Sequence, residues 1–239
     1  MSVVSSRKAL LEIRDLNVHL GESHILQGLS FEVPEGGVTA LLGRNGAGKT
    51  TTIKALLALV PRSGSISYAG TDTARLPTHA IVRLGVGYVP EDREVFADLT
   101  VTENLALAER DPKPRYDLVY ELFPELEQRG AQRAGSLSGG QQQMLAIGRA
   151  LLNLNRIILV DEPTKGLSPL MVTKAVDALR RASESSTVLL VEQNLQVARS
   201  LADKVVVLDQ GQVVYDGSVA TLLADPGLAQ RYLGVGGSH

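Results

Sequence analysis

The sequence predicts an α/β fold with a mostly parallel sheet, an N-terminal antiparallel β-subdomain and an inserted helical subdomain. Three observations lead to this prediction. Apolar, β-branched runs in the second half of the chain are separated by helical patterns, as parallel β-α-β units require. The first part instead shows strand patterns interrupted by turn signals. A charged stretch with helical periodicity lies between these two regions. The 239 residues are enough for one large domain of this kind.

The N-terminal region is predicted to form short strands joined by turns. The strand patterns are ALLEIRDLNVHL (9–20), SFEVPEGG (30–37) and SGSISYAG (63–70). Between them, VTALL (38–42) looks like a buried strand, and TTIKALLAL (51–59) has apolar residues at helical spacing. We therefore expect a strand–loop–helix unit among the short strands.

A helical lobe is predicted to interrupt the core of a single domain. The strand VGYVP (86–90) ends at a proline, and the charged helical stretch runs from Glu91 to about residue 134. The later strands are RIILVD (156–161), TVLLVE (187–192) and KVVVLD (204–209), followed by a predicted hairpin. We predict one domain over residues 8–235, with its core in 8–90 and 156–235 and the inserted helical region at about 91–155.

Composition excludes several kinds of chemistry. The chain is 44% apolar and 21% charged, with a net charge of −2, which gives no support for a nucleic-acid partner. It contains no cysteine, so disulfides, thiolate metal sites and thiol nucleophiles are excluded. No apolar run approaches the ~18 residues of a membrane span, and no signal-peptide pattern is visible. We expect a cytoplasmic protein.

Residues 43–50 read GRNGAGKT and fit the pattern G-x-x-x-x-G-K followed by Ser or Thr, the phosphate-binding loop of nucleotide triphosphatases. The three glycines allow φ > 0 and close backbone approach, so that N–H groups and the positive helix end face the phosphates. Lys49 can reach the β- and γ-phosphates, and the Thr50 hydroxyl can hold Mg²⁺. A Gly-rich turn with a surface lysine is the alternative. The predicted phosphate-binding residues are Gly43, Arg44, Asn45, Gly46, Ala47, Gly48, Lys49, Thr50 and Thr51.

The tract LVDEP (159–163) ends a predicted strand with two acids. Asp161 is placed to bind Mg²⁺ directly or through water, and Glu162 is placed to polarise an attacking water. Two acids at a strand end are weak evidence alone, because loops often begin with Asp. Together with the upstream phosphate loop they predict nucleotide hydrolysis, with Glu162 and Lys49 as catalytic residues.

The tract LSGGQ (137–141), followed by QQMLAIGRALL, resembles the signature of ATP-binding-cassette (ABC) ATPases. Taken alone, it is also consistent with a capped helix start in which Ser138 is the N-cap. The resemblance implies that two cassettes pack head to tail and sandwich ATP between the phosphate loop of one and the signature of the other. The residues that it assigns to the partner's nucleotide are Ser138, Gly139, Gly140 and Gln141.

Four positions depart from the common cassette pattern. Glu91 stands where the family usually has a Gln that contacts Mg²⁺, and Leu20 stands where an aromatic side chain stacks on adenine. Gln193 occupies the position of the switch histidine; it can hydrogen-bond a γ-phosphate but cannot carry a proton. Ser168 replaces the usual Asp after DEPTKGL.

The motifs together resemble one branch of the ABC family. VPE-x-R-x-VF-x-x-LTV-x-ENL (89–105), LSGGQQQMLAIGRAL, DEP-x-x-GL-x-P, VEQN and the ending Arg231-Tyr232-Leu233-Gly234 are typical of cassettes that serve branched-chain amino acid uptake. Closely similar cassettes for urea and short amides share them. Glu91 and Gln193 are normal in that branch, whereas Leu20 is unusual because Tyr is expected.

The resemblance implies an ATP hydrolase of an importer, with ATP and Mg²⁺ bound. It also implies transmembrane permeases, a second ABC subunit, an external solute-binding protein, and a place on the inner face of the cell membrane. The lobe is expected to dock a permease helix through Val95, Phe96 and Leu99, unless Phe96 and Leu99 fill the core of the lobe instead. Two other functions stay open: a soluble ABC ATPase without transport, and a catalytically weak cassette that supports an active partner.

Overall fold

The computed structural model describes residues 8–225 and residue 227. The described chain divides into two compact units, one up to Leu84 together with the residues from Leu189 onwards, the other Gly85–Val188. The terminal tract 231–234 and the predicted domain end at residue 235 lie outside the described residues. The single domain with an insertion at about 91–155 stays a prediction.

The N-terminal segment carries the antiparallel sheet that the sequence predicts. Its elements are β1 (Ala9–Leu20), β2 (Ser23–Pro34), β3 (Val38–Gly43), α1 (Lys49–Leu56), β4 (Ser63–Tyr68), β5 (Thr71–Asp72) and α2 (Thr78–Arg83). The sheet runs in the order β2-β1-β4-β5. The predicted strand pattern ALLEIRDLNVHL (9–20) is confirmed as β1, a continuous twelve-residue strand. Asp15 adopts a φ of 51°, and the register slips between Ile13 and Leu16, so a bulge bends the strand without ending it.

In the Gly85–Val188 unit, helices surround one central helix. Its elements are β6 (Val86–Val89), α3 (Val101–Ala106), α4 (Tyr116–Leu122), α5 (Pro124–Gln128), a 3₁₀ turn (Ala134–Ser136), α6 (Gly139–Leu151), β7 (Ile157–Asp161) and α7 (Pro169–Ser183). Helix α6 packs against α3, α4, α5 and α7, and its residues from Gln143 to Gly148 are buried. The helical character predicted after Glu91 is confirmed. Strands β6 and β7 pair in parallel, as the sequence predicts.

The last segment returns to strand and helix. Its elements are β8 (Thr187–Glu192), α8 (Leu195–Leu201), β9 (Lys204–Asp209), β10 (Gln212–Ser218) and α9 (Val219–Ala224). Strand β9 lies parallel to β3 and antiparallel to β10, which confirms the final hairpin. The predicted α/β fold class is confirmed. Among the described residues, none of the helices combines the length and apolar character needed to cross a membrane.

Candidate functional site

The phosphate loop joins the end of β3 to the start of α1. Strand β3 is buried throughout, and the chain leaves it at Gly43 to enter the helix at Lys49. Gly46 and Gly48 adopt φ angles of 81° and 103°, the left-handed region that glycine favours. The Lys49 ammonium group donates hydrogen bonds to the carbonyl oxygens of Gly43 (2.9 Å) and Arg44 (3.2 Å). The lysine is therefore held back over the loop, next to the backbone that would face a phosphate.

Gly43 is needed for packing rather than for a left-handed backbone, so the prediction of φ > 0 at this glycine is wrong. A Cβ at Gly43 would lie 2.6 Å from the carbonyl oxygen of Leu208 on β9. Gly46 differs, because a Cβ there would meet nothing within 4 Å. The space in front of Gly46, together with exposed Arg44 and Asn45, leaves the outer face of the loop open to a ligand.

The adenine position of the family pattern lies at a hairpin tip. Leu20 is the last residue of β1, opposite Ser23, and its side chain is 44% exposed. It is an accessible apolar surface that can cover a base but offers no π face. On the neighbouring positions of the hairpin, His19 and His24 stack with ring centroids 4.0 Å apart.

The switch position lies in the turn between β8 and α8. Gln193 is exposed, and its backbone N–H donates to the buried Glu192 carboxylate at 3.2 Å. The same carboxylate accepts from the Asn194 N–H, and the Asn194 side chain caps α8. The hydrogen bonds of Glu192 and Asn194 thus hold the backbone of the turn. That backbone sets where the exposed Gln193 side chain begins.

The two acids of LVDEP lie at the end of β7, as predicted. Asp161 is the last strand residue and is fully buried, and Glu162 is 6% exposed. Glu162 adopts a φ of 42°, which is rare for a residue with a Cβ. Such a backbone costs on the order of 1–3 kcal/mol and is concentrated at functional positions. The strained backbone indicates that the direction of the Glu162 carboxylate is important for function.

The signature tract caps helix α6. The Ser138 hydroxyl oxygen accepts from the Gln141 N–H at 3.3 Å, and the Gln141 side chain accepts from the Ser138 N–H at 3.0 Å. This capping box confirms the simpler interpretation of the tract and leaves the Ser138 hydroxyl proton available to a ligand. A Cβ at Gly140 would lie 2.9 Å from the Met171 side chain on α7, so the glycine lets this methionine pack closely against the start of α6.

Glu91 follows β6 at the edge where β7 also ends, close to the acidic tract. Burial raises the pKa of Tyr88 on β6, and the charges of Asp161 and Glu91 raise it further. The Glu91 carboxylate is paired with the Lys165 ammonium group, which also lies 3.8 Å from a Glu162 carboxylate oxygen. Carboxylates from two strands therefore share this edge of the unit.

The oxygen ligands present are of the kind that Mg²⁺ prefers. Within residues 8–225 and 227, no group of three or more His, Asp or Glu side chains converges on a metal position. Mg²⁺ commonly takes only one or two carboxylates and completes its shell with phosphate oxygens and water. The Thr50 hydroxyl in one unit, and the carboxylates of Asp161 and Glu91 in the other, are oxygen donors of this kind.

Sequence reasoning missed two basic residues of the second unit. Lys165 pairs with Glu91, and the guanidinium group of Arg93 lies against Gly139, where a Cβ would be 2.8 Å from the Arg93 side chain. Arg93 also adopts a φ of 63°. The only signal available was a lysine three positions after Glu162, because the partners come from distant parts of the chain.

Comparison with known families settles where the chain belongs. The family model described as ABC transporter matches residues 26–165, which contain the phosphate loop, the signature and the acidic strand. The chain belongs to the ABC transporter family. It is an ATPase cassette of that family, as the three motifs predict.

Curated relatives extend the similarity over nearly the full length of the cassette. This chain is 42% identical to the high-affinity branched-chain amino acid transport ATP-binding protein BraG of Pseudomonas aeruginosa, over 94% of its own length and 100% of that protein. It is 35% identical to the probable branched-chain amino acid transport ATP-binding protein LivF of Archaeoglobus fulgidus, over 95% of this chain and 99% of that protein. The lipopolysaccharide export system ATP-binding protein LptB of Escherichia coli is 33% identical over 88% of this chain and 91% of that protein.

Solved structures agree with the fold. A structure described as the ATP binding subunit of an ABC transporter superposes with a TM-score of 0.81 at 29% identity, covering 92% of this chain and 94% of that chain. A nucleotide-free ATP-binding cassette of an ABC transporter has a TM-score of 0.81 at 24% identity, covering 96% of this chain and 100% of that one. The latter likeness supports the fold of the cassette.

Proposed function

We propose that this chain is the ATP-hydrolysing subunit of an importer of branched-chain amino acids. The observation that carries the proposal is the 42% identity to BraG across the whole of that protein. The features Glu91 and Gln193, which set the chain apart from the common cassette pattern, fit the same branch.

The residues of the phosphate loop supply the binding step. Backbone N–H groups of residues 43–48 and the N-terminus of α1 face the phosphates, and Lys49 neutralises the β- and γ-phosphate charge. Leu20 covers the adenine. Thr50, Asp161 and Glu91 would hold Mg²⁺, which would supply positive charge to offset the negative charge that develops during phosphoryl transfer.

Glu162 supplies the hydrolytic step. Its carboxylate accepts a hydrogen bond from the attacking water and orients it towards the γ-phosphate. Its left-handed backbone and low exposure hold the carboxylate in one direction. Gln193 contributes a hydrogen bond to the γ-phosphate or to the water.

A second cassette completes the site. The Ser138 hydroxyl, the backbone of Gly139 and Gly140, the Gln141 side chain and the N-terminus of α6 contact the γ-phosphate of the nucleotide held by the other copy or by a related subunit. Because each copy lacks the opposite wall of its own site, hydrolysis depends on closure of the pair and is thereby coupled to movement.

The permease contact is assigned to the segment that follows Glu91. Phe96 is 49% exposed, and Val95 and Leu99 are partly exposed, whereas the lobe core is built from residues such as Leu105, Val119 and Phe123. This distribution favours a docking surface over a core role for Phe96 and Leu99. An external solute-binding protein acts through the permeases, and the cassette sits peripherally on the cytoplasmic face of the membrane.

Other functions are distinguished by the molecule transported. Urea and short-amide uptake cassettes share the same motifs, and relatives named for Nod factor export and lipopolysaccharide export are 33–34% identical. A soluble cassette would support no ATP-dependent transport, whereas a catalytically weak cassette would leave hydrolysis to its partner subunit.

Transport by the assembled system tests the proposal. The chain is produced with its permeases and binding protein, and uptake of labelled leucine, isoleucine, valine, urea and acetamide is measured in proteoliposomes loaded with ATP. We expect ATP-dependent accumulation of the branched-chain amino acids. Accumulation of urea or acetamide alone would move the assignment to the amide branch, and export would reverse the direction.

A further inference from the structure

Lys165 lies in a tight turn directly after the acidic strand. Its backbone N–H donates to the Glu162 carbonyl oxygen at 3.2 Å, and the Leu167 N–H donates to the Thr164 carbonyl oxygen at 3.2 Å. Gly166 allows the turn with a φ of 68°. The turn therefore fixes where the lysine side chain leaves the backbone, although the side chain itself is 55% exposed.

The Lys165 ammonium group bridges two carboxylates that follow the paired strands β6 and β7. It forms an ion pair with Glu91 and lies 3.8 Å from Glu162. Val89 on β6 is paired with Val160 on β7, and each carboxylate lies two residues beyond its member of that pair. The parallel register of the strands thus brings both acids to the same edge, within reach of one cation.

The Lys165 ammonium group offsets the additional negative charge that Glu91 brings to this edge. Where the family pattern has a neutral Gln, this chain has a carboxylate, at an edge that already holds Asp161, Glu162 and Asp92. Like charges in close proximity repel one another, and a nearby cation relieves that repulsion. The hydrogen bond and charge of Glu91 raise the pKa of Lys165, so the ammonium group stays charged.

We propose that Lys165 is a positioning residue of the ATPase, whose ammonium group balances Glu91 and competes with Mg²⁺ for that carboxylate. This inference rests on the proposed function of the site. An oxygen of Glu91 that is paired with Lys165 is less available to a second cation, so binding of Mg²⁺ with nucleotide has to displace the pair. Lys165 therefore sets how much Mg²⁺ is required, and it releases Glu91 only when the nucleotide site is filled.

A binding measurement tests this without turnover. Mg²⁺ is titrated into the full chain in the presence of a non-hydrolysable ATP analogue, and complex formation is followed by calorimetry. Removal of the competing cation in Lys165→Met is expected to lower the Mg²⁺ concentration at half-saturation by about two- to fivefold at low salt, as for other exposed ion pairs. The difference between wild type and variant shrinks as ionic strength rises.

Three comparisons keep the result specific. Lys165→Arg retains the charge and is expected to stay close to wild type. Lys174→Met removes the same charge from a pair with Glu125 (2.7 Å) in the same unit and is expected to leave the titration unchanged. In the Glu91→Gln background, Lys165→Met is expected to leave the Mg²⁺ titration unchanged, because the carboxylate for which Lys165 and Mg²⁺ compete is absent.

Several outcomes would overturn the inference. These are an unchanged or raised Mg²⁺ requirement in Lys165→Met, an equal shift in Lys174→Met, or an equal shift in the Glu91→Gln background. Normal binding of Mg²⁺ and analogue by wild type without a Lys165 effect removes only this inference. No binding by wild type removes the proposed ATPase function as well.

Discussion

The backbone at Glu162 is held in a conformation that most side chains avoid. Its φ of 42° follows directly after the buried Asp161 at the end of β7. Glycine adopts this region readily, whereas a residue with a Cβ pays about 1 kcal/mol or more. The chain therefore accepts strain at one residue in order to direct a carboxylate.

This strain predicts an unusual order of stability. Glu162→Gly is expected to have a free energy of unfolding about 1 kcal/mol higher than Glu162→Ala, because glycine relieves the left-handed backbone. The exposed helical residue Asp177 on α7 provides a control, since Asp177→Gly should be less stable than Asp177→Ala by a similar amount. Urea unfolding of the four variants measures both differences. The same order at both positions would contradict the strain.

Leu20 predicts a change in nucleotide affinity. Loss of an aromatic partner removes base stacking of about 1–3 kcal/mol while the phosphate contacts remain. Leu20→Tyr is therefore expected to tighten ATP binding several-fold, as measured with a fluorescent nucleotide. Leu59→Tyr, which also replaces an exposed leucine of the same unit, should leave the affinity unchanged. If Leu20→Tyr has no effect, another residue covers the base.

At the scale of elements, the segment before α3 is fixed to the signature helix. The Arg149 guanidinium group on α6 donates to the Glu94 carbonyl oxygen at 2.7 Å and lies over the Phe96 ring at 5.0 Å. The buried Asn104 side chain bonds both backbone groups of Phe96. A force on Phe96 therefore reaches α6, the helix that carries the signature at its start.

The segment predicts a separation of docking from nucleotide binding. Phe96→Glu is expected to abolish assembly with the permeases in a pull-down, because it places a charge in an apolar contact, while ATP binding is retained. Leu107→Glu, at another exposed leucine of the same unit, should assemble normally. Normal assembly of Phe96→Glu would place the docking surface elsewhere, and loss of folding would assign Phe96 to the core.

Local sequence predicts elements well and predicts their partners poorly. The phosphate loop, the end of β7 and the capped start of α6 were all predictable, because each depends on neighbouring residues. The bulge at Asp15 was not, because it depends on how β1 pairs with β2 rather than on the strand pattern of the sequence. Gly43 was interpreted incompletely and Lys165 was missed, because Leu208 and Glu91 approach them from distant segments.

In the whole molecule, the proposed hydrolytic site needs two cassettes. The signature glycines offer little apolar surface, so the contact between copies depends on the nucleotide. The isolated chain is therefore expected to be mostly monomeric without nucleotide, and Glu162→Gln is expected to dimerise on addition of ATP. Light scattering across an ATP titration measures the mass. A stable dimer without nucleotide would contradict this dependence.

ATP hydrolysis by the assembled transporter shows whether Glu162 activates the attacking water. Steady-state ATP turnover is compared for wild type, Glu162→Gln and Glu184→Gln, the last being the same change at an exposed glutamate of the same unit. Glu162→Gln is expected to bind ATP normally and to lose turnover by at least about a hundredfold, since it removes the group that activates water. Glu184→Gln is expected to match wild type. Near-normal turnover of Glu162→Gln would contradict the account of this cassette as a Glu162-dependent ATPase.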